Sequence, residues 1–386
     1  MARDLSKMTN IEDLRRVARR KVPKMFFDYV RSGSWTESTL HHNTRDFDPI
    51  KFQQRVLVDM TNRTLETTMI GETVKMPVAI APTGFTGMMY ADGEILAAKA
   101  AEKFGVPFSL STMSICSIED VAENTSKPFW FQLYVMRERE ISYGLVERAA
   151  KAGFDTLFFT VDTPVAGARL RDKRNGFSIP PHLTMKTLLN AIPRPWWWFD
   201  FLTTPKLEFA SLSSTGGTVG ELLDNAMDPS INYEDLKIIR EMWPGKIVIK
   251  GVQNLEDSKK LADLGVDGIL LSNHGGRQLD RAPVPFHLLP EVVREVGNDV
   301  EVMVDTGIMN GADIVASMAL GAKFTLVGRA YLYGLMAGGR RGVDRTIEIL
   351  SDEVRRTMKL LQVHNIAELE PKHVTQLRRL QPIPKA

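Results

Sequence analysis

His274 stands inside Ser272-Asn-His-Gly-Gly-Arg277, directly behind the apolar run Gly268-Ile-Leu-Leu. Imidazole is the natural general base near neutral pH. Asp162, in Thr160-Val-Asp162, offers a carboxylate that would stabilise the imidazolium. Arg169 and Arg277 lie close to these two in sequence. A histidine joined by two arginines suits an anionic carboxylate substrate. Lys250 supplies a fixed positive charge, useful where negative charge develops. Gly307 and the Gly328-Arg329 pair follow two further apolar runs. Backbone N–H groups and a forked guanidinium at such places bind phosphate.

Each residue also has a plainer reading. An isolated histidine is usually a structural hydrogen-bonder, and His41, His42, His182, His364 and His373 are read that way. Asp162, two residues before Pro164, could be a turn-former. Cys116 is read as a small buried hydrophobe. His274 differs because its whole neighbourhood is chemically loaded.

For these residues to meet, the chain must bring strand ends together. Short apolar runs rich in β-branched residues recur: Met76–Ala81, Val106–Leu110, Phe129–Tyr134, Thr156–Val161, Lys246–Lys250, Gly268–Ser272, Val300–Val304 and Phe324–Val327. Most are apolar at consecutive positions, as in parallel strands covered on both faces. Helical patterns lie between them, at Gly93–Phe104, Glu138–Ala152, Leu255–Leu264, Phe286–Val296 and Ala312–Leu320. Gly105, Gly153, Gly265, Gly297 and Gly321 follow as stop signals. Eight such units predict an α/β chain folded as a (β/α)8 TIM barrel, with an open doubly wound sheet as the alternative. Every predicted strand end carries polar groups: Pro82-Thr83-Gly84, Ser111-Thr112, Gln132 with Tyr134, Thr160 with Asp162, Lys250, Ser272 to Arg277, Asp305 with Gly307, and Gly328-Arg329. Such a ring reads as a site.

Residues 1–75 form a helical N-terminal extension, 76–341 the barrel and 342–386 a C-terminal helix (Val343 to Leu361) and tail, all in one domain, 1–386. Strands four and five start some 90 residues apart, whereas the other strands start about 22 to 32 apart. An insertion over 184–232 therefore emerges on the catalytic face. It contains Pro193-Arg-Pro-Trp-Trp-Trp-Phe-Asp-Phe-Leu202. Three adjacent indoles cannot all face one core, so this stretch is a candidate for an interface, a substrate lid or a lipid–water boundary.

Lysine plus arginine number 49 against 47 acidic residues, a net charge of +2, which is no nucleic-acid-binding excess. The single cysteine excludes an internal disulfide and a cysteine-rich metal centre, no metal site is expected, and a reducing, cytoplasmic setting follows. The charged N-terminus lacks a signal-peptide core, and no run of about 18 apolar residues suggests a membrane span.

Taken with Pro23-Lys-Met-Phe-Phe-Asp-Tyr29, the segment Ser272-Asn-His-Gly-Gly-Arg-Gln-Leu-Asp280 resembles the FMN-dependent α-hydroxy-acid oxidases and dehydrogenases over nearly the whole chain. Ser111–Glu119, Gly167–Asp172, Asp228–Asn232 and Ile239–Trp243 look most like the membrane-associated bacterial L-lactate dehydrogenases of that family. The resemblance implies FMN as cofactor and oxidation of a small L-2-hydroxy acid, L-lactate to pyruvate. Electrons would pass to a quinone or another non-oxygen acceptor. It also implies peripheral contact through Pro193–Leu202 with the inner face of the cell membrane, and a homotetramer. Tyr29 and Tyr134 would bond the substrate, Arg169 and Arg277 its carboxylate. His274 would take a proton, assisted by Asp162. Lys250 would lie by flavin N1 and O2, and Pro82, Thr83 and Gly84 near N5. Ser111, Gln132, Thr160 and Ser272 would contact the ring and ribityl chain. Asp305, Gly307, Gly328 and Arg329 would bind ribityl and phosphate.

The family usually reads Asp-Gly-Gly-x-Arg after strand seven, whereas this chain reads Asp305-Thr-Gly-Ile-Met309 and lacks the second phosphate-binding arginine. Gly84 stands where many oxidases carry alanine, which leans towards a non-oxygen acceptor. The alternatives are an oxygen-using 2-hydroxy-acid oxidase, a mandelate-type dehydrogenase, and a non-redox aldolase or isomerase barrel with Lys250 as a Schiff-base lysine.

Overall fold

The computed structural model describes residues 4–126, 130–179, 192–195, 197–199, 217–218 and 227–376. Eight parallel strands form one sheet: β1 (Val78–Ile80), β2 (Ser109–Ser111), β3 (Trp130–Leu133), β4 (Thr156–Thr160), β5 (Lys246–Val252), β6 (Gly268–Leu271), β7 (Glu301–Val304) and β8 (Thr325–Val327). Neighbours in sequence are neighbours in space, and β8 pairs with β1. A parallel bridge between Ile80 and Phe108 closes the ring. The expected barrel is therefore present. Pro107 has no N–H, and β2 begins at Ser109 instead of Val106. Phe129, the expected start of strand three, lies outside the described residues.

Consecutive apolar residues are needed because each strand is buried on both faces. The outward set packs under the helices. The inward set, with Trp130, Phe158, Val248, Leu270, Met303, Phe324 and Leu326, fills the lumen as a second apolar cluster. A hairpin (Thr67–Met69 with Glu72–Val74) adds Met69, Ile70 and Val74 to that cluster. The Ile70 N–H bonds the Glu301 carboxylate at the start of β7, so the hairpin plugs the N-terminal end of the barrel. Only the opposite end is left for a site.

The extension contributes α1 (Ile11–Lys21), α2 (Lys24–Arg31) and α3 (Ser38–Arg45). The barrel helices are α4 (Gly93–Phe104), α5 (Ile118–Glu123) and α6 (Arg139–Lys151). They continue, after the short α7 (Leu170–Asn175), with α8 (Tyr233–Met242), α9 (Leu255–Asp263), α10 (Pro285–Val296), α11 (Gly311–Ala319) and α12 (Arg329–Gly338). The C-terminal helix α13 runs Arg340–Leu361, three residues longer at its start than expected. Asn232, Asn254 and Asn310 cap their helices through side-chain oxygens. Of the five glycine stops, all but Gly297 are left-handed. Ile50–Phe52 pairs antiparallel with Val374–Gln376, which ties the extension to the tail.

Within the insertion, Gly217–Thr218 pairs with Ser178–Ile179. Trp197 is buried, its ring 5.2 Å from Phe26 and its indole N–H on the Met88 carbonyl at 3.4 Å. Trp198 is half-buried, while Ile192 and Phe199 are 64% and 62% exposed. The two described indoles, Trp197 and Trp198, both pack on the core, and the exposed apolar groups of this segment are Ile192 and Phe199. His182, Trp196 and residues 200–202 and 211–216 lie outside the described residues.

Candidate active site

A cleft of about 1300 Å³, its open mouth included, occupies the C-terminal end of the barrel. It is lined by Tyr29, Pro82, Thr83, Gly84, Ser111, Tyr134, Arg169, Lys250, His274, Arg277, Asp305, Gly307, Gly328 and Arg329. Four other expected residues stand just behind the wall. Gln132 accepts from the Ser111 hydroxyl at 3.0 Å and donates to Thr160 at 2.9 Å. Ser272 accepts from Lys250 Nζ at 3.2 Å and from the His274 N–H at 3.0 Å. Asp162 sits behind His274, its side chain 1% exposed. Every residue singled out from the sequence therefore belongs to one constellation.

His274 Nδ1 lies 3.1 and 3.2 Å from the two Asp162 carboxylate oxygens, and Nε2 lies 3.4 Å from the Tyr134 hydroxyl. The carboxylate fixes the proton on Nδ1 and leaves Nε2 as the acceptor. Burial lowers the His274 pKa, Lys250 and Arg277 add to that, and Asp162 opposes it. The imidazole is thus held neutral and able to receive a proton. Burial disfavours ionised Asp162, but His274 and Lys250 outweigh it and keep the carboxyl below its ordinary range. Burial, with Asp162 and Tyr29, raises the Tyr134 phenol, which stays a hydroxyl donor.

Gly251 makes room for this pair. It is left-handed (φ +104), and a Cβ there would lie 2.6 Å from Asp162 Cβ and Cγ. Gly251→Ala is expected to cost about 1–3 kcal/mol of stability through overpacking and strain. It should also slow flavin reduction about 100-fold by displacing Asp162. Thermal melting and single-turnover reduction would check this, and wild-type values for both would remove Gly251 from this role.

The arginines collect at the C-terminal end of α2, where helix carbonyls lack intrahelical partners. Arg277 Nη1 donates to the Tyr29 and Ser32 carbonyls at 2.5 and 3.1 Å. Arg329 donates to the Val30 and Ser32 carbonyls, both at 3.0 Å. Arg277 Nη2 is buried with no hydrogen-bond partner among the described residues. The Arg277 and Arg169 guanidiniums lie 4.5 and 5.7 Å from the Tyr29 ring centre. Arg169 also faces Asp172 at 3.8 Å. Burial, aided by Arg277, lowers Arg329 to about 10, still charged at neutral pH. Lys250 Nζ is 3.6 Å from Asp305.

Sequence reasoning missed the strap that holds His274. His274, Gly275 and Gly276 are all left-handed. Asn43 on α3 and Asn273 exchange side-chain amide bonds at 2.9 and 2.7 Å, and Asn273 also accepts from the Gly276 N–H. Gln278 donates to the Asp162 and Val165 carbonyls and accepts from the Gly167 N–H. Asp280 accepts from Thr36 and from the Thr39 N–H. Gln278 and Asp280 were visible as part of the signature run, but Asn43 carried no signal. Met309, in the place of the missing arginine, lines the cleft and gives its N–H to Asp313. Among the described residues, no other basic side chain lines the cleft in its stead.

Comparison with known proteins agrees with this geometry. The model of a family described as FMN-dependent dehydrogenase matches residues 18–376. A Mycobacterium tuberculosis protein provisionally named L-lactate dehydrogenase is 56% identical over 382 residues, covering 99% of this chain and 92% of that protein. An L-lactate dehydrogenase of Haemophilus influenzae is 42% identical, covering 97% and 100%. The crystal structure of the monotopic membrane protein (S)-mandelate dehydrogenase superposes with a TM-score of 0.91 at 38% identity, covering 96% of this chain and 100% of that one. With the barrel, the cleft and a family match spanning nearly all its length, the chain belongs to the FMN-dependent dehydrogenases.

Proposed function

We propose that the protein oxidises L-lactate to pyruvate and delivers the electrons to a quinone or another non-oxygen acceptor. The observation that carries this reading is a neutral, carboxylate-held imidazole sharing a cleft with a buried guanidinium that has one unused edge. The relatives named L-lactate dehydrogenase support it. Family membership removes the aldolase alternative for Lys250.

The cleft suits FMN. Arg169, Lys250, Arg277 and Arg329 outnumber the one carboxylate in its lining, Asp305, so the site calls for anions such as a phosphate and a substrate carboxylate. Lys250, Ser111 and the backbone of Pro82–Gly84 would hold the ring, and Asp305, Gly307, Gly328 and Arg329 the ribityl phosphate. FMN, when bound, supplies the two-electron acceptor for the substrate Cα–H. Arg277, through its free Nη2, and Arg169 receive the carboxylate. Tyr29 and Tyr134 orient the acid, and His274 Nε2 takes the proton. Asp162 stabilises the imidazolium, and Lys250 offsets negative charge on the ring side.

Gly84 has a local reason of its own. A Cβ there would fall 2.9 Å from Met113 Cβ and 3.2 Å from its carbonyl. The glycine answers to that close approach, whatever the acceptor. No helix among the described residues is long and apolar enough to cross a membrane. The exposed Ile192 and Phe199, with the monotopic neighbour, support peripheral contact through Pro193–Leu202.

Anaerobic titration should bleach the flavin with L-lactate, and turnover should reduce a dye without stoichiometric peroxide. Peroxide equal to pyruvate would make the protein an oxidase, and bleaching by L-mandelate alone would make it a mandelate dehydrogenase. The pH profile follows from His274. Because folding holds its pKa below about 6.5, the ordinary value, protonation removes the base only at lower pH. The reduction rate should rise with pH along a limb centred below 6.5 and then level off. Asp162 raises the His274 pKa, so Asp162→Asn should move that limb further down while lowering the plateau. A limb moving upward would contradict the assignment.

A further inference from the structure

Outside the active site, a second cleft of about 1000 Å³, its open mouth included, is lined by Arg19, Lys24, Arg31, Arg171, Arg174 and Arg194, with Asp28 the one carboxylate among the described residues of its wall. Lys24 is paired with Asp28, and Arg171 with Glu37. Arg19, Arg31 and Arg174 are exposed and make no ion pair among the described residues. Like charges gathered without counter-charges repel one another and lower stability unless an anion joins them. Guanidiniums bind phosphate oxygens through paired N–H groups.

The location names the anion's source. Arg194 lines the cleft and stands two residues from exposed Ile192 and five from exposed Phe199. Trp197, between them, is anchored on Phe26 and Met88. The segment that carries exposed Ile192 and Phe199 thus also lends Arg194 to a cationic recess formed with α1, α2 and α7. We propose that this recess is a docking site for the phosphate headgroup of an anionic phospholipid, engaged when Ile192 and Phe199 enter the acyl boundary. It rests on the membrane contact proposed above and adds lipid selectivity to it.

The test is co-sedimentation of the FMN-loaded protein with phosphatidylcholine vesicles, with and without phosphatidylglycerol. Wild type should bind the anionic vesicles far better, and added salt should weaken that binding. Each cation near an anionic surface contributes about fivefold. Arg19→Gln/Arg31→Gln/Arg174→Gln should therefore bind anionic vesicles about 100-fold more weakly. Its melting temperature without lipid should equal or exceed that of wild type, because mutual repulsion is relieved, and its dye-linked activity should match wild type. Ile192→Ser/Phe199→Ser should weaken binding to both kinds of vesicle. If wild type binds neither kind, the membrane reading itself fails. If it binds both equally, or the triple variant binds like wild type, the headgroup site fails while the apolar contact stands. Saturable binding of inorganic phosphate, lost in the triple variant but without any vesicle preference, would assign the recess to a free anion and overturn the lipid.

Discussion

His274→Ala should retain its flavin but lose reduction by L-lactate by about 10³- to 10⁴-fold, the scale of a missing general base. Only Nε2 presents an unprotonated nitrogen to the cleft, because Nδ1 is committed to Asp162. Tyr134 cannot replace it as the base, since burial holds its phenol protonated. Position 274 is also left-handed (φ +57), so alanine adds local strain of about 1 kcal/mol. Asparagine tolerates that conformation better. His274→Asn is therefore the matching control: its melting temperature should stay near wild type while the rate still collapses. Stopped-flow reduction under anaerobic conditions measures both variants. A rate within tenfold of wild type in either would remove His274 from its role.

Arg277→Met should lower kcat/KM for L-lactate about 1000-fold, equivalent to about 4 kcal/mol. Two effects combine. The substrate loses a desolvated charge partner, and the Tyr29 and Ser32 carbonyls each lose one of their two donors. The second effect also destabilises the fold, by about 1–3 kcal/mol. Arg277→Lys separates them. It keeps a cation but cannot span the α2 carbonyls and a carboxylate at once. Its loss should appear mainly in KM, about 10- to 100-fold, with flavin binding intact. An unchanged KM in the lysine variant would show that the unused Nη2 edge does not meet substrate.

The barrel was legible because its physics is local. A strand buried on both faces must be apolar at successive positions, and eight such runs are visible between Met76 and Val327. Strand ends shifted by up to three residues where proline or a closing bridge intervened, as at β2. The catalytic set was legible because polar groups stand at strand ends, where a barrel gathers them. Tyr29 came only through family resemblance, since nothing in the spacing of α2 places it over the cleft. The Asn43–Asn273 exchange spans 230 residues and leaves no periodic trace. The partners of Arg277 and Arg329 are main-chain carbonyls, which have no signature in a sequence at all.

The N-terminal extension meets the far end of the barrel and the C-terminal strand at two places. Val30 and Ser32 receive Arg329, and Ile50–Phe52 pairs with Val374–Gln376. A nascent polypeptide leaving the ribosome therefore exposes its first helices long before their partners exist. Such distant pairing favours slow maturation and gives chaperones a window in which to act. Prematurely terminated chains that stop short of residue 329 would be inert, however complete their imidazole and carboxylate.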